Sequence, residues 1–276
     1  MTRIAAAQIE TRPLEAKANI DKVVQWIERA AGKGAALVVF PECALTGYML
    51  SAEEAQALSE PVPGPRTERL VEACKVAGML AVVGTIERDA RGRCYNTAVL
   101  LGPDGVIGRY HKTHLICLGV DRYLNPGEAI PGPVDTALGR LGVLICYDLR
   151  FPEPARVLGL AGAHAMLLPT AWPQAATLYP DHVARTRAAE NGVFIVAADH
   201  VGQERGGRYL GRSIIVGPNG EVLAQAGRDQ EELLVADLDL HLADQKHRTF
   251  IAGEYELDLH ADRRPDLYGP IADPHR

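Results

Sequence analysis

Unbroken apolar runs alternating with stretches of helical periodicity predict an α/β chain, sheet packed on sheet with helices outside. Three observations carry this. Residues 35–40, 141–145, 165–169 and 193–198 are almost wholly apolar, as strands covered on both faces are. Leu14, Ile20, Val23, Val24, Ile27 and Ala30 recur at helical spacing over residues 13–31, and Gly32 and Gly34 stop that helix. Two helices fall in each half of the chain, flanking the runs of strands.

In order, residues 3–9 alternate as a short strand, and the first helix and the 35–40 strand follow, the latter running straight into Pro41-Glu42. Residues 46–48 read as loop, and 61–65 as a proline-rich turn before a helix over 66–76. Strands are expected at 79–86, 96–101 and 106–110, with a hairpin tip at 89–93 and a turn at 103–105. The third of these leads to His111-Lys112-Thr113-His114 and a loop holding Asn125-Pro126-Gly127-Glu128. Beyond the 141–145 strand, Pro152 suits a first helical turn, so a helix is expected over 153–161. The 165–169 strand ends near Trp172, a helix over 180–191 stops at Gly192, and the 193–198 strand follows. Strands 213–216 and 221–226 form a hairpin about Pro218-Asn219-Gly220, and 233–238 closes the sheet. From Asp239 onward the chain is polar and weakly structured by this reading. No linker or repeat interrupts it, which predicts one domain over residues 1–276, with 258–276 as a C-terminal tail.

The 276 residues are 47% hydrophobic, enough for a sizeable core, and 29 basic against 35 acidic residues give a net charge of −6 with no basic stripe. Nucleic acid is therefore not an expected partner. The N-terminal apolar stretch is too short for a signal peptide, and no apolar run approaches the ~18 residues of a membrane span, so a cytoplasmic protein is expected. Cys43, Cys74, Cys94, Cys117 and Cys146 are odd in number and widely spaced, which argues against a disulfide framework or a zinc knuckle. His111 and His114 lie three apart with no helix to align them, a poor metal pattern.

Chemistry concentrates where buried strands end. Cys146 follows the 141–145 strand, and the N–H groups of Tyr147 and Asp148 can point at a developing anion there. Glu42 and Lys112 stand at equivalent places after their own strands. A thiol needs a base or a positive charge to become a nucleophile, so Glu42 is a candidate general base and Lys112 a candidate for steadying thiolate and oxyanion. The set suits acyl transfer to water. Tyr48, Tyr147 and Trp172 are candidate pocket walls, Trp172 equally a core residue, while Cys43 and Cys117 read as packing.

Phe40-Pro41-Glu42, Tyr110-His111-Lys112-Thr113-His114 and the stretch Cys146-Tyr147-Asp148-Leu149-Arg150-Phe151-Pro152-Glu153 resemble, in order, the three motifs of the nitrilase (carbon-nitrogen hydrolase) superfamily. The resemblance runs from the N-terminal strand to about Asp237. It implies a four-layer α-β-β-α sandwich that pairs with a second copy, and hydrolysis of a non-peptide C–N bond without cofactor or metal. It makes Cys146 the nucleophile, Glu42 the general base, and Lys112 with the Tyr147 N–H the stabilisers of the tetrahedral intermediate. Many members carry a further glutamate a few residues after the lysine. Here Leu118-Gly119-Val120-Asp121-Arg122-Tyr123 offers Asp121, one methylene shorter and about a residue out of register, and Glu128 is the other candidate. The residues after Cys146 look like those of the amidase-type branch, which implies cleavage of a small carboxamide to acid and ammonia. Nitrile or N-carbamoyl amide hydrolysis, the latter with Arg122, Arg150 or Arg187 for a substrate carboxylate, would use the same triad. A scaffold that kept the fold without catalysis would have no need of all three residues.

Overall fold

The computed structural model describes residues 1–273. The first half runs β1 (Thr2–Gln8), α1 (Ala16–Gly32), β2 (Leu37–Val39), α2 (Ala52–Leu58), α3 (Pro65–Ala77), β3 (Leu80–Arg88), β4 (Cys94–Gly102) and β5 (Gly105–His111). The second runs β6 (Val134–Thr136), β7 (Gly139–Val143), α4 (Pro152–Leu160), β8 (Ala165–Pro169), α5 (Ala184–Asn191) and β9 (Phe194–Ala198). The short pair β10 (Gln203–Glu204) and β11 (Gly207–Arg208) follows, then β12 (Ile214–Val216), β13 (Val222–Gln225) and β14 (Glu232–Leu238). A last hairpin, β15 (His247–Ile251) and β16 (Tyr255–Asp258), lies in the stretch that reads as weakly structured from composition. Of the expected tail, 258–276, the last three residues lie outside the described residues.

Two six-stranded sheets, β14-β1-β2-β3-β4-β5 and β13-β12-β9-β8-β7-β6, form the centre. Each has three parallel strands in the middle, β1-β2-β3 and β7-β8-β9, with antiparallel strands at the edges. Period-two alternation sorts the first sheet's side chains. Ile4, Ala6, Leu37, Val39 and Val82 face the core shared with the second sheet. Ala5, Ala7, Val38, Ala81 and Val83 pack on Ile20, Val23, Trp26 and Ile27 of α1 and Leu70 and Cys74 of α3. Ala155 and Leu158 of α4 and Ala184 and Ala188 of α5 cover the second sheet. This is the α-β-β-α sandwich, and strands covered on both faces explain the unbroken apolar runs.

The departures have local causes. Leu14 is outside α1: it has φ 71° and is exposed, while Asn19 hydrogen-bonds the Arg12 N–H and C=O and folds that segment into a turn. The helix α2 escapes an apolar-stripe search because Ala55 is its sole buried residue. Its signal is the capping box, in which Ser51 Oγ accepts from Glu54 N–H while Ser51 N–H donates to Glu54 Oε2. The helix expected over 180–191 opens as a wider π-type turn, Tyr179–Val183, before α5 proper. Among the described residues no helix is long and apolar enough to cross a membrane.

Candidate active site

The carboxyl ends of the parallel strands of both sheets meet at one end of the sandwich, the usual place for chemistry in open parallel sheets. Glu42 follows β2, Cys146 follows β7, Thr170 to Trp172 follow β8, and His200 follows β9. The strand β5 runs in the same direction as β3 and delivers Lys112. A backbone bond from Glu42 N–H to Thr170 O, 3.3 Å, ties the two sheets together at this point.

Glu42, Lys112 and Asp121 are all buried and form one cluster. Lys112 Nζ donates to Glu42 Oε1 at 2.6 Å and to Asp121 Oδ2 at 2.5 Å. Asn96 Nδ2 spans the same carboxylates, at 2.6 Å to Glu42 Oε1 and 2.8 Å to Asp121 Oδ1. Tyr48 O–H donates to Asp121 Oδ2 at 3.2 Å, and its ring lies 5.8 Å from Lys112 Nζ. Two features remain open. Glu42 Oε2 is buried with no donor, and an ammonium with three N–H groups has spent two on carboxylates.

Burial works against the Lys112 charge, but Glu42 and Asp121 together outweigh it and hold its pKa well above the usual lysine range. For Glu42 burial is the largest influence and raises the pKa; Lys112 opposes it and Asp121 adds to it. The Cys146 thiol is pushed well up by burial and by Glu42, against the pull of Lys112 and of hydrogen bonds from Thr170 and Ala171. Burial thus favours the protonated thiol over the thiolate. Cys146 still keeps 7% of its surface, whereas Glu42 and Lys112 keep none. Cys146 is the one of the three with any exposed surface.

The Cys146 turn is held by Asp148, a buried carboxylate with five polar contacts. Its Oδ2 takes Tyr110 O–H (2.8 Å) and Ile145 N–H (3.0 Å). Its Oδ1 takes Thr113 O–H (3.0 Å) and His114 N–H (3.0 Å) and meets His114 Nδ1 (2.8 Å). This fastens the residue before Cys146 to the residues after Lys112. The Asp148 N–H donates within the turn to Ile145 O, 2.9 Å, so of the two amides expected to face an anion only Tyr147 N–H remains a candidate.

Asp121 and Tyr48 stand inside the cluster. The Glu128 side chain is exposed and paired with Arg93 at 2.8 Å, not with Lys112. Tyr147 is half-buried with its ring edge-on to Phe151, 5.2 Å between centroids. Trp172 has no exposed surface and backs onto the Tyr179 ring at 5.5 Å. Tyr179 itself, half-buried and pushed up to about 12 by burial and then by Cys146, is an aromatic at the site that sequence reasoning missed. Cys43 is packed, its thiol 3.7 Å from Asn96 Oδ1. Cys117 corrects its expectation: it is exposed, turned out where Leu118 N–H bonds back to Ile116 O. His111 pairs with Glu87 and His114 with Asp148, so the two do not converge. Arg187 donates to Leu149 O and Arg150 O, Arg122 to Gly119 O, and Arg150 is exposed. Asn96 and His200 carried no signal, being ordinary residues of strand and loop.

Residues 3–248 match the model of the carbon-nitrogen hydrolase family. The chain is 36% identical over 270 residues to a nitrilase of Pyrococcus abyssi, covering 97% of this chain and 99% of that one. It is 31% identical over 273 residues to the human omega-amidase NIT2, covering 94% and 96%. An amidase from Nesterenkonia sp. superposes with a TM-score of 0.79 at 30% identity, over 97% of this chain and 95% of the other. A variant of the Nesterenkonia sp. AN1 amidase, TM-score 0.80 at 29% identity over the same shares, bears the acetamide moiety of fluoroacetamide on its active-site cysteine. The chain therefore belongs to the carbon-nitrogen hydrolase family, in its amidase-like branch, as an enzyme of non-peptide C–N bonds.

Proposed function

We propose that this enzyme hydrolyses a small carboxamide to the carboxylic acid and ammonia through a thioester on Cys146. The reading rests chiefly on Glu42: one carboxylate oxygen is fixed by Lys112 and Asn96, and the other, Oε2, is buried without a donor, while the carboxylate's charge is felt by the Cys146 thiol.

In the first step Glu42 Oε2 takes the thiol proton as the sulfur attacks the amide carbon. Negative charge develops on the amide oxygen, where the third N–H of Lys112 and the Tyr147 N–H stabilise it. Glu42 passes its proton to the departing nitrogen, and ammonia leaves the thioester. A water molecule then gives a proton to Glu42 and attacks the thioester, and collapse of that intermediate returns the proton to sulfur and frees the acid. Asp121 keeps Lys112 charged throughout, so Glu42 can gain and lose a proton without emptying the ammonium. The likeness to amidases and to an omega-amidase supports an amide as the substrate, and the likeness to a nitrilase keeps nitriles as the second reading.

The test is ammonia release from a panel of carboxamides, nitriles and N-carbamoyl amino acids. Carboxamides are expected to turn over fastest, and Cys146→Ala to abolish turnover. Preference for a nitrile or a carbamoyl compound replaces the amidase reading, and a Cys146→Ala enzyme at the wild-type rate ends it.

A further inference from the structure

Behind the cluster lies a second polar chain that the reaction above does not use. Glu204, on β10, is 2% exposed, and no lysine or arginine lies within ion-pair distance of it among the described residues. Its Oε2 accepts from Tyr48 N–H (2.9 Å), Met49 N–H (2.8 Å) and Tyr209 O–H (2.9 Å). Its Oε1 lies 2.7 Å from Thr11 Oγ1, which lies 3.1 Å from His200 Nδ1. His200 Nε2 lies 2.6 Å from the main-chain oxygen of Glu42, and the imidazole stacks on the Tyr209 ring at 4.7 Å. Thr11 and His200 are buried too.

Donor counting fixes the protons here. A carbonyl oxygen only accepts, so His200 Nε2 carries hydrogen. The Thr11 hydroxyl has one hydrogen and two neighbours. Given to Glu204, it obliges Nδ1 to be protonated as well, leaving an imidazolium beside a carboxylate. Given to Nδ1, it obliges Glu204 Oε1 to hold a proton and donate to Thr11. The remaining arrangement, an ionised Glu204 with a bare Nδ1 facing an oxygen lone pair, keeps four donors on the carboxylate but leaves a buried acceptor unmade at Nδ1. Both satisfied arrangements contain the same number of protons, one more than an ionised glutamate and a neutral histidine.

We infer that Glu204, Thr11 and His200 share this one proton as a neutral brace. Its His200 end clamps the Glu42 carbonyl, and its Glu204 end clamps the backbone of Tyr48, whose hydroxyl holds Asp121. Glu204 and His200 are thus positioning residues for both carboxylates that flank Lys112. The clamp acts where the main chain is forced: Cys43, the next residue after Glu42, has φ 52°, a left-handed value that a side chain with Cβ adopts only when its surroundings impose it. The inference rests on the proposed role of Glu42 as base.

Four variants test it, each checked for folding by circular dichroism and thermal melting. Glu204→Gln preserves every bond, since its amide N–H donates to Thr11, whose hydroxyl donates to a neutral His200. It is expected to keep kcat within a few-fold of wild type, and its imidazole ¹⁵N spectrum to show a neutral ring protonated at Nε2. His200→Phe and Glu204→Leu are expected to lose about 10²-fold in kcat with little change in KM, the cost of a misplaced base. His200→Gln, whose amide can still donate to the Glu42 carbonyl, is expected to recover part of that loss. A His200→Phe enzyme with wild-type kcat overturns the brace. So does Glu204→Gln if it is as impaired as Glu204→Leu, or, should Glu204→Leu not fold, as impaired as His200→Phe. The rate at which iodoacetamide alkylates Cys146 separates this from the proposed function: it needs no substrate, and it is expected to fall in His200→Phe even if no amide is turned over. An unchanged alkylation rate with amide turnover intact discards the brace alone.

Discussion

Cys43 and Cys146 occupy matching places in the two halves of the sandwich. Each lies just past a parallel strand of its own sheet, β2 and β7, and each has a left-handed backbone, φ 52° and 43°. Both are buried free thiols whose pKa burial pushes well up. What differs is their surroundings. The Gly84 backbone presses on Cys43, where a Cβ would come within 2.3 Å of the Cys43 nitrogen, and the thiol has no exposed surface. Among the charges around it, those of Glu42 and Asp121 come ahead of Lys112. Cys146 keeps some exposed surface, with Lys112 and donors from Thr170 and Ala171 acting against the burial. A strained turn thus marks where the chain must bend sharply, and residual exposure with positive charge sets the two bends apart.

Substitutions can break this contrast. Cys146→Ala is expected to lower kcat/KM by about 10⁴-fold or more, while Cys43→Ala leaves it close to wild type, both read by ammonia release. Lys112→Ala leaves Glu42 and Asp121 buried without their cation. It should remove activity and cost about 3–5 kcal/mol in denaturant unfolding, the penalty of breaking a buried ion pair from one side. Gly84→Ala drives a methyl group into the backbone of Pro41, Glu42 and Cys43, with about 3 kcal/mol of stability lost and the base displaced. Gly84 lies against the Cys43 turn, so this variant separates the two turns.

The pH profile sharpens the comparison further. In the proposed mechanism Glu42 works as the carboxylate, and burial raises its pKa above the ordinary 4.5, so kcat/KM should fall as pH drops through a midpoint above 4.5. Asp121 contributes to raising it, so Asp121→Asn should move this limb to lower pH while reducing turnover. A limb that stays in place removes Asp121 from the electrostatics of the base. The smallest expected effect is the stability loss in Cys43→Ala, about 1 kcal/mol for a buried sulfur packed without function.

Strand after strand was legible because burial on both faces leaves no polar residue in the run, as in residues 35–40 and 193–198. Glu42 and Cys146 were legible for the same reason, as the polar or reactive residues met where those runs end, whereas Lys112 follows β5, a partly exposed edge strand, and was legible from its motif. Asp121 was only half visible, since its reach to Lys112 depends on the short helical turn of Gly119–Tyr123 and not on its place in a motif. The brace was invisible. Thr11 is 193 positions from Glu204, and each residue alone reads as an ordinary loop residue until folding brings the two within 2.7 Å. Trp172 stayed open between pocket wall and core because an aromatic near a strand end looks the same in both places, and the structure gives it no exposed surface. The helix α2 was missed for want of an apolar stripe, although Ser51 and Glu54 spelled its first turn.

The account depends on acyl transfer to one of two similar thiols. Rapid acid quench during turnover of a carboxamide, followed by peptide mapping, reads this directly. The acyl group is expected on the peptide containing Cys146, with the Cys43 peptide unmodified. Ammonia released at the full rate while Cys146 stays unmodified throughout, or an acyl group found on Cys43, would contradict it.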